Sequence, residues 1–287
     1  MFHLIYNPVS GQKKTKKSLA IAERLFTERG VLYETHETQG ERDAQAIAKA
    51  LTEQGETDII VLGGDGTLHE VLNGLADPTV CKIGLLPCGT GNDFAARLGL
   101  PTDIEKATLK ILDSEAKPID YLEVDGVRCM NVAGIGMDVD VLERCQKGKL
   151  KGKIKYFISL LQSLFAFKGI ALEMESEGRI ERHEALLAAA CNGSQFGGGI
   201  RICPTADVSD GKISVVLVEC IGSKWGIIKA FMSLLKGTIL TYPATTEFTC
   251  ERVRFSPDTP CTVQLDGELY RDLEFDVTLK KGLKFYY

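Results

Sequence analysis

Apolar residues recur along this chain with two different periods, and the change falls near Lys117-Pro118. Upstream, short apolar runs alternate with stretches whose apolar positions lie three and four residues apart. Residues 2–6, 31–36, 58–62 and 83–87 read as strands. Between them, Leu19, Ala22, Leu25 and Phe26 mark one helical face. Ala44, Ile47, Ala48 and Leu51 mark a second, ended by Gly55. A further helix is expected over 67–75, and another starts over 93–98. Such alternation predicts a parallel sheet with helices on both faces.

Downstream, apolar and polar residues alternate over 119–124, 127–132, 185–191, 212–218, 253–255, 261–265 and 273–279. Asp-Gly pairs at 125–126, 210–211 and 266–267 stand at strand boundaries, where they suit hairpin turns. Helical stretches interrupt at 154–167 and 224–235. The expected fold is an α/β N-terminal domain with a parallel sheet over 1–118, followed over 119–287 by a mainly antiparallel β-sandwich. The extreme C-terminus is free to return to the first domain.

Composition narrows the function classes. The 287 residues are 44% hydrophobic and 25% charged, as in ordinary globular proteins. A net charge of −5 gives no support to nucleic-acid binding, which wants a basic domain. The nine cysteines are scattered, odd in number and without a Cys-x-x-Cys pair, so zinc knuckles and redox dithiols are not indicated. Buried free thiols fit a reducing cytoplasm. The chain opens on strand-like residues with no signal-peptide pattern. Its longest apolar run, 157–167, is broken by Gln162 and too short to span a bilayer.

The candidate chemistry lies in the loops after the strands. Gly63-Gly64-Asp65-Gly66-Thr67 follows one apolar run, and Cys88-Gly89-Thr90-Gly91-Asn92-Asp93-Phe94 follows the next. Asn7-Pro8-Val9-Ser10-Gly11 follows the first. Each could be no more than a tight strand-to-helix turn with a capping Asp or Thr. Together they place three glycine-containing polar loops at one sheet edge, where ligands bind in such folds. Glycine lets backbone N–H groups approach a phosphate. Asp beside that loop repels phosphate unless a cation intervenes, so the pairing points to a metal–nucleotide site and phosphoryl transfer. Gly-x-x-x-x-Gly-Lys-Ser/Thr and the dinucleotide fingerprint after the first strand are both absent.

These motifs resemble those of the diacylglycerol kinase catalytic family, which includes soluble bacterial lipid kinases. NAD kinases and phosphofructokinases share only the Gly-Gly-Asp-Gly core. The resemblance extends to Asp210-Gly211-Lys212 and Gln264-Leu265-Asp266-Gly267-Glu268. It implies that ATP is contacted by Asn7, Pro8, Ser10, Gly11, Thr38, Gly63, Gly64, Asp65, Gly66, Thr67, Leu68, His69, Gly89, Thr90 and Asn92. His69 stands where the family often carries Asn. The resemblance further implies catalytic Mg²⁺ on Asp65 and Asp93, and a structural Mg²⁺ on Asp207, Asp210 and Lys212. Glu268 would be the proton acceptor, with Asp266 a metal or phosphate partner, though these two roles could be exchanged. By itself, Asp266-Gly267 reads as a turn and 207–212 as a solvent-exposed hairpin.

The implied reaction moves the γ-phosphate of ATP to a lipid hydroxyl, most simply that of diacylglycerol, in an interdomain cleft. Lys147, Lys149, Lys151, Lys153 and Lys155 precede an apolar stretch. They read either as a solvated face or as a basic run that attracts anionic lipid. The expectation is a cytoplasmic protein with peripheral membrane contact, and a homodimer is left open. The rivals are an NAD kinase-like small-molecule kinase and a non-catalytic, nucleotide-regulated membrane-binding module.

Overall fold

The computed structural model describes residues 1–13, 15–147, 159, 162, 163 and 166–287. They divide into two units, Met1–Asp120 with Lys281–Tyr287, and Tyr121–Lys280. Most of the expected helix over 154–167, and Lys149, Lys151, Lys153 and Lys155, lie outside the described residues.

In the first unit, β1 (Phe2–Tyr6), β2 (Tyr33–Glu37), β3 (Asp58–Gly63) and β4 (Lys82–Pro87) lie in the order β2-β1-β3-β4, all parallel. The end of β15 (Asp276–Phe285) extends this sheet, pairing Lys284 with Lys82 and Phe285 with Ile83 in parallel. Strand side chains alternate between faces. Leu4, Ile60, Leu62 and Leu86 therefore share one face, where they pack with Leu19, Ala22 and Phe26 of α1 (Thr15–Glu28) and with Ala107 and Ile111 of α5 (Ile104–Asp113). Ile5, Ile59 and Val61 turn the other way and are fully buried. α2 (Asp43–Glu53) packs on β1, α3 (Asp65–Gly74) packs on β3, and the two helices pack together. Short α4 (Asp93–Arg97) follows β4. The strand periodicity alone does not reveal α5, whose N-terminus is capped by Asp103 accepting from the Lys106 N–H at 2.9 Å.

Every strand pair within the second unit for which the register is defined is antiparallel. β5 (Lys117–Val124) and β6 (Val127–Cys129) form a hairpin. β7 (Val132–Gly136) leads into α6 (Met137–Lys147). β8 (Ile170–Ser176) pairs with the first half of β9 (Arg179–Cys191), while β7 and β10 (Ile213–Glu219) flank its second half. This second half, Ala185 to Cys191, is buried throughout and its neighbours cover both faces. That explains its continuous apolar run. Leu122, Ala133, Ala188, Val253, Phe255 and Val277 fill the core on one side. Leu187, Ala189, Val216, Phe231 and Leu234 fill the other, beneath α7 (Lys224–Leu235). The remaining strands are β11 (Thr245–Cys250), β12 (Arg252–Pro257), β13 (Val263–Leu265) and β14 (Glu268–Tyr270).

One expected strand is divided. Residues 127–132 form β6 and the start of β7, separated by Met130-Asn131, because those backbone N–H groups turn to the Asp266 carboxylate. Two Asp-Gly pairs are hairpin turns with consecutive positive φ: Asp125 (48°) with Gly126 (77°), and Asp266 (54°) with Gly267 (90°). Asp210-Gly211 instead ends a loop that enters β10, with no strand on its other side. Among the described residues no helix is long and apolar enough to cross a membrane.

Candidate active site

The loops at the carboxyl ends of β1, β3 and β4 hold one another in place. Gly11 has φ +56°, and a Cβ on it would lie 1.8 Å from the Cys88 carbonyl oxygen. Only glycine lets the loop after β1 rest on the loop after β4. Gly64 and Gly89 meet back to back, for a Cβ on Gly89 would stand 2.5 Å from the Gly64 Cα. The Gly63 carbonyl accepts from the Cys88 and Gly89 N–H groups at 2.8 and 3.2 Å, and the Leu62 carbonyl accepts from the Asn7 N–H at 3.3 Å. Asn7 Oδ1 in turn accepts from the Val9 N–H at 3.0 Å, and the Asn7 carbonyl from the Ser10 N–H at 3.2 Å.

Asp65 begins α3 and ties that helix to the next loop. Its Oδ2 accepts from the Asp93 N–H and its Oδ1 from the Phe94 N–H, each at 3.1 Å. The carboxylate thus caps α4 from a distance of 28 residues in sequence. Asn92 is held at φ +55° with its Nδ2 donating to the Gly89 carbonyl at 3.0 Å. Its Oδ1 is buried and has no hydrogen-bond partner among the described residues. Asp93 is buried, and Gly64, Asp65 and Gly66 are partly exposed. The N-cap of α3 is Gly64, which has no side chain to bond the first-turn N–H groups. A helix N-terminus so left favours an anion.

The other expected nucleotide contacts are placed unequally. Pro8 and Ser10 are partly exposed, and Thr90 is exposed. Thr38 follows β2, where its N–H donates to the Tyr6 carbonyl at 3.0 Å, and it is buried. Thr67 is buried behind Gly63. Leu68 and His69 are only 1% and 3% exposed, so their side chains belong to the core of α3. His69 packs with Asn73, whose Nδ2 donates to the His69 carbonyl at 2.9 Å. Helical periodicity turns both side chains inward.

The residues present suit Mg²⁺ chemically. Asp65 and Asp93 offer carboxylates, and Asn92 offers a buried amide oxygen in need of a partner. That all-oxygen donor set is the kind Mg²⁺ selects.

In the second unit, Asp266 is a clamp. Its Oδ2 accepts from the Met130 N–H at 2.7 Å, and its Oδ1 from the Asn131 and Val132 N–H groups at 2.7 and 3.3 Å. The Cys129 thiol donates to Oδ1 at 3.2 Å, and burial with this carboxylate pushes that thiol well above its ordinary pKa. The carboxylate fastens the β13–β14 turn to the start of β7. Glu268, two residues on, is exposed on β14. Asp207 Oδ1 accepts from the Ser209 N–H and hydroxyl at 2.9 and 2.8 Å, and Asp210 Oδ1 from the Lys212 N–H at 3.0 Å. All three of Asp207, Asp210 and Lys212 are exposed.

Two polar positions escape the motif-based reading. Asn131 sits inside an apolar run and Asn192 at the end of one, which is their sequence signal. Asn192 Nδ2 donates to the Met130 carbonyl at 2.8 Å, and Asn131 Nδ2 to the Gln195 carbonyl at 2.7 Å. They join the Asp266 clamp to the end of β9. Asp138, just inside α6, is a buried carboxylate lying against Gly134 and Gln264. Burial pushes its pKa up to about 6.

A parallel sheet with a glycine cradle and carboxylates at its carboxyl edge, followed in the chain by an antiparallel sandwich, is an arrangement shared with solved structures of diacylglycerol kinases. Residues 1–124 match the diacylglycerol kinase catalytic domain, and residues 131–281 match the YegS C-terminal NAD kinase beta sandwich-like domain. The chain belongs to the diacylglycerol kinase catalytic family. It is 32% identical over 273 residues to a diacylglycerol kinase of Bacillus subtilis (strain 168), covering 92% of this chain and 88% of that protein. It is 29% identical over 289 residues to a diacylglycerol kinase of Staphylococcus carnosus (strain TM300), covering 99% and 94%. A crystal structure of a diacylglycerol kinase from Bacillus anthracis str. Sterne matches with a TM-score of 0.81 at 25% identity, over 100% of this chain and 96% of that one. Kinase family membership implies ATP as the phosphoryl donor.

Proposed function

We propose that this protein is an ATP- and Mg²⁺-dependent lipid kinase whose acceptor is the hydroxyl of diacylglycerol, giving phosphatidic acid. The observation that carries the proposal is the cradle at Gly11, Gly64 and Gly89, locked by Asp65 onto the Asp93 and Phe94 N–H groups, in a chain of this family. Backbone N–H groups at the start of α3 bind phosphate oxygens, and Asp65, Asp93 and Asn92 Oδ1 would hold Mg²⁺, which neutralises phosphate charge when bound. The lipid oxygen attacks the γ-phosphorus, the bond to the β–γ bridging oxygen breaks, and ADP leaves. Glu268 takes the hydroxyl proton as the new bond forms. Asp266 holds the turn that carries Glu268. Asp207, Asp210 and Lys212 are the proposed seat of a structural Mg²⁺.

One feature of the second unit supports a lipid acceptor. On the outer side of α7, Trp225 is 75% exposed, and Met232 and Leu235 are exposed with it. With half-buried Ile228 they form a stripe at spacings of three and four, beside exposed Lys229 and Lys236. Such a stripe suits peripheral contact with a bilayer.

ADP release tests the reading. It should require diacylglycerol in mixed micelles and scale with its mole fraction. ADP release at the same rate with detergent alone would overturn it.

A further inference from the structure

On one face of β1 and β2, two imidazoles and a carboxylate converge. In the parallel register His3 lies opposite Glu34, and Ile5 opposite His36. Residues two apart on neighbouring strands share a face, so His3, Glu34 and His36 point the same way. His3 Nδ1 is 3.1 Å from His36 Nε2 and 3.8 Å from Glu34 Oε2. One ligand atom from each residue falls within 4.8 Å of the other two. The rings stack with centroids 5.3 Å apart.

His3 is 2% exposed, and its second nitrogen is also constrained. Glu56 Oε2 stands 3.0 Å from His3 Nε2, at ion-pair distance but off the hydrogen-bond axis, so this buried nitrogen has no well-formed hydrogen bond among the described residues. A small rotation of Glu56 aligns the pair. Nε2 then carries the proton, and Nδ1 turns its lone pair toward His36. A carboxylate behind the outer nitrogen of a ligating histidine is the usual support of a metal-binding imidazole.

Two imidazole nitrogens 3.1 Å apart can share a proton or share a cation. With bonds of about 2.0–2.1 Å to both, a metal between them would subtend an angle of about 100°, close to tetrahedral. Two nitrogens and one carboxylate, with a position left for water, form a set that Zn²⁺ and its neighbours take readily. Mg²⁺ prefers oxygen donors, so this site would not compete for the Mg²⁺ of the phosphate loops.

We propose that His3, His36 and Glu34 bind one divalent transition-metal ion of the Zn²⁺ class, with Glu56 orienting His3, at a site distinct from the phosphate loops. The ion would pin β2, the end strand of the sheet, to β1.

The test uses the full chain, stripped with chelator and held in excess Mg²⁺. Co²⁺ is added first and then displaced by Zn²⁺. The expected result is one equivalent of Co²⁺ bound with intense visible bands of four-coordinate geometry, lost on adding one equivalent of Zn²⁺, together with a higher melting temperature. His36→Gln and Glu34→Gln should each weaken binding at least tenfold, and Glu56→Gln by about ten- to a hundredfold. Glu34 is 57% exposed, so its variant keeps the fold should His36→Gln fail to. No saturable binding by the wild type would overturn the proposal and leave a proton-sharing histidine pair. Unchanged affinity in the His36 and Glu34 variants would overturn it too, by placing the metal at other groups such as the free thiols.

Discussion

Asp266→Asn separates a chemical role from a structural one. The carboxylate accepts three backbone N–H groups, two of them at 2.7 Å, and a thiol. Asparagine keeps the shape but replaces one oxygen with an NH₂ group. Whichever way the amide turns, that group faces the Met130 N–H or the Asn131 and Val132 N–H groups. At least one charge-assisted bond is lost, worth about 1.5–3 kcal/mol, and its partly buried donor is left unsatisfied at a further cost of about 1 kcal/mol or more. The expected loss is about 2–4 kcal/mol. At about 2–4 °C per kcal/mol for a chain of this size, the melting temperature should fall by about 5–15 °C. Circular-dichroism melts beside steady-state turnover provide the assay. Turnover should fall in step with the folded fraction, and raising Mg²⁺ should not restore it. An unchanged melting temperature with abolished turnover would refute the clamp and return Asp266 to the chemistry.

Other substitutions probe the remaining parts. Glu268→Gln should lower kcat by about a hundred- to ten-thousandfold while leaving ATP affinity and the melting temperature unchanged, since Glu268 is exposed; full activity would remove it as the proton acceptor. Asp65→Asn should nearly abolish turnover and also cost about 1 kcal/mol of stability, because it weakens the cap on α4; wild-type turnover in the folded variant would sink its metal role. Asp138 predicts a pH slope. Its carboxyl ionises at about 4 in the unfolded chain but only at about 6 in the fold, so the folded state holds the extra proton. This contribution to stability is fully present below pH 4 and is lost as pH rises from 4 to 6, about 3 kcal/mol in all. Asp138→Asn should flatten that slope in urea midpoints measured across pH, and an identical slope in both proteins would contradict the assignment.

The strands of the first sheet were legible because each is a short apolar run ended by a polar loop, and β1 agrees residue for residue. β3 and β4 differ by a residue at one end. The glycine loops were legible as motifs. Their mutual support was not, because a Gly64–Gly89 contact and an Asp65 cap on α4 join residues that only the fold brings together. The turn at Asp266-Gly267 was visible in the dipeptide, but its carboxylate is spent on N–H groups more than a hundred residues upstream. β8 and the first half of β9 were missed because their polar positions, such as Glu173, Glu175, Glu181 and Arg182, dilute the apolar signal. The His3–His36 pair carries no sequence motif, since parallel strand register alone makes the residues neighbours.

The central claim is transfer of phosphate from ATP to a lipid hydroxyl, and the direct measurement is the identity of the labelled product. Protein is incubated with γ-labelled ATP and Mg²⁺, together with diacylglycerol, a sphingoid base, phosphatidylglycerol or NAD in mixed micelles, and the products are separated. Label in phosphatidic acid, dependent on both diacylglycerol and Mg²⁺ and lost in Asp65→Asn, is the predicted result. Label in phosphorylated NAD, or in no acceptor while nucleotide still binds, would contradict it.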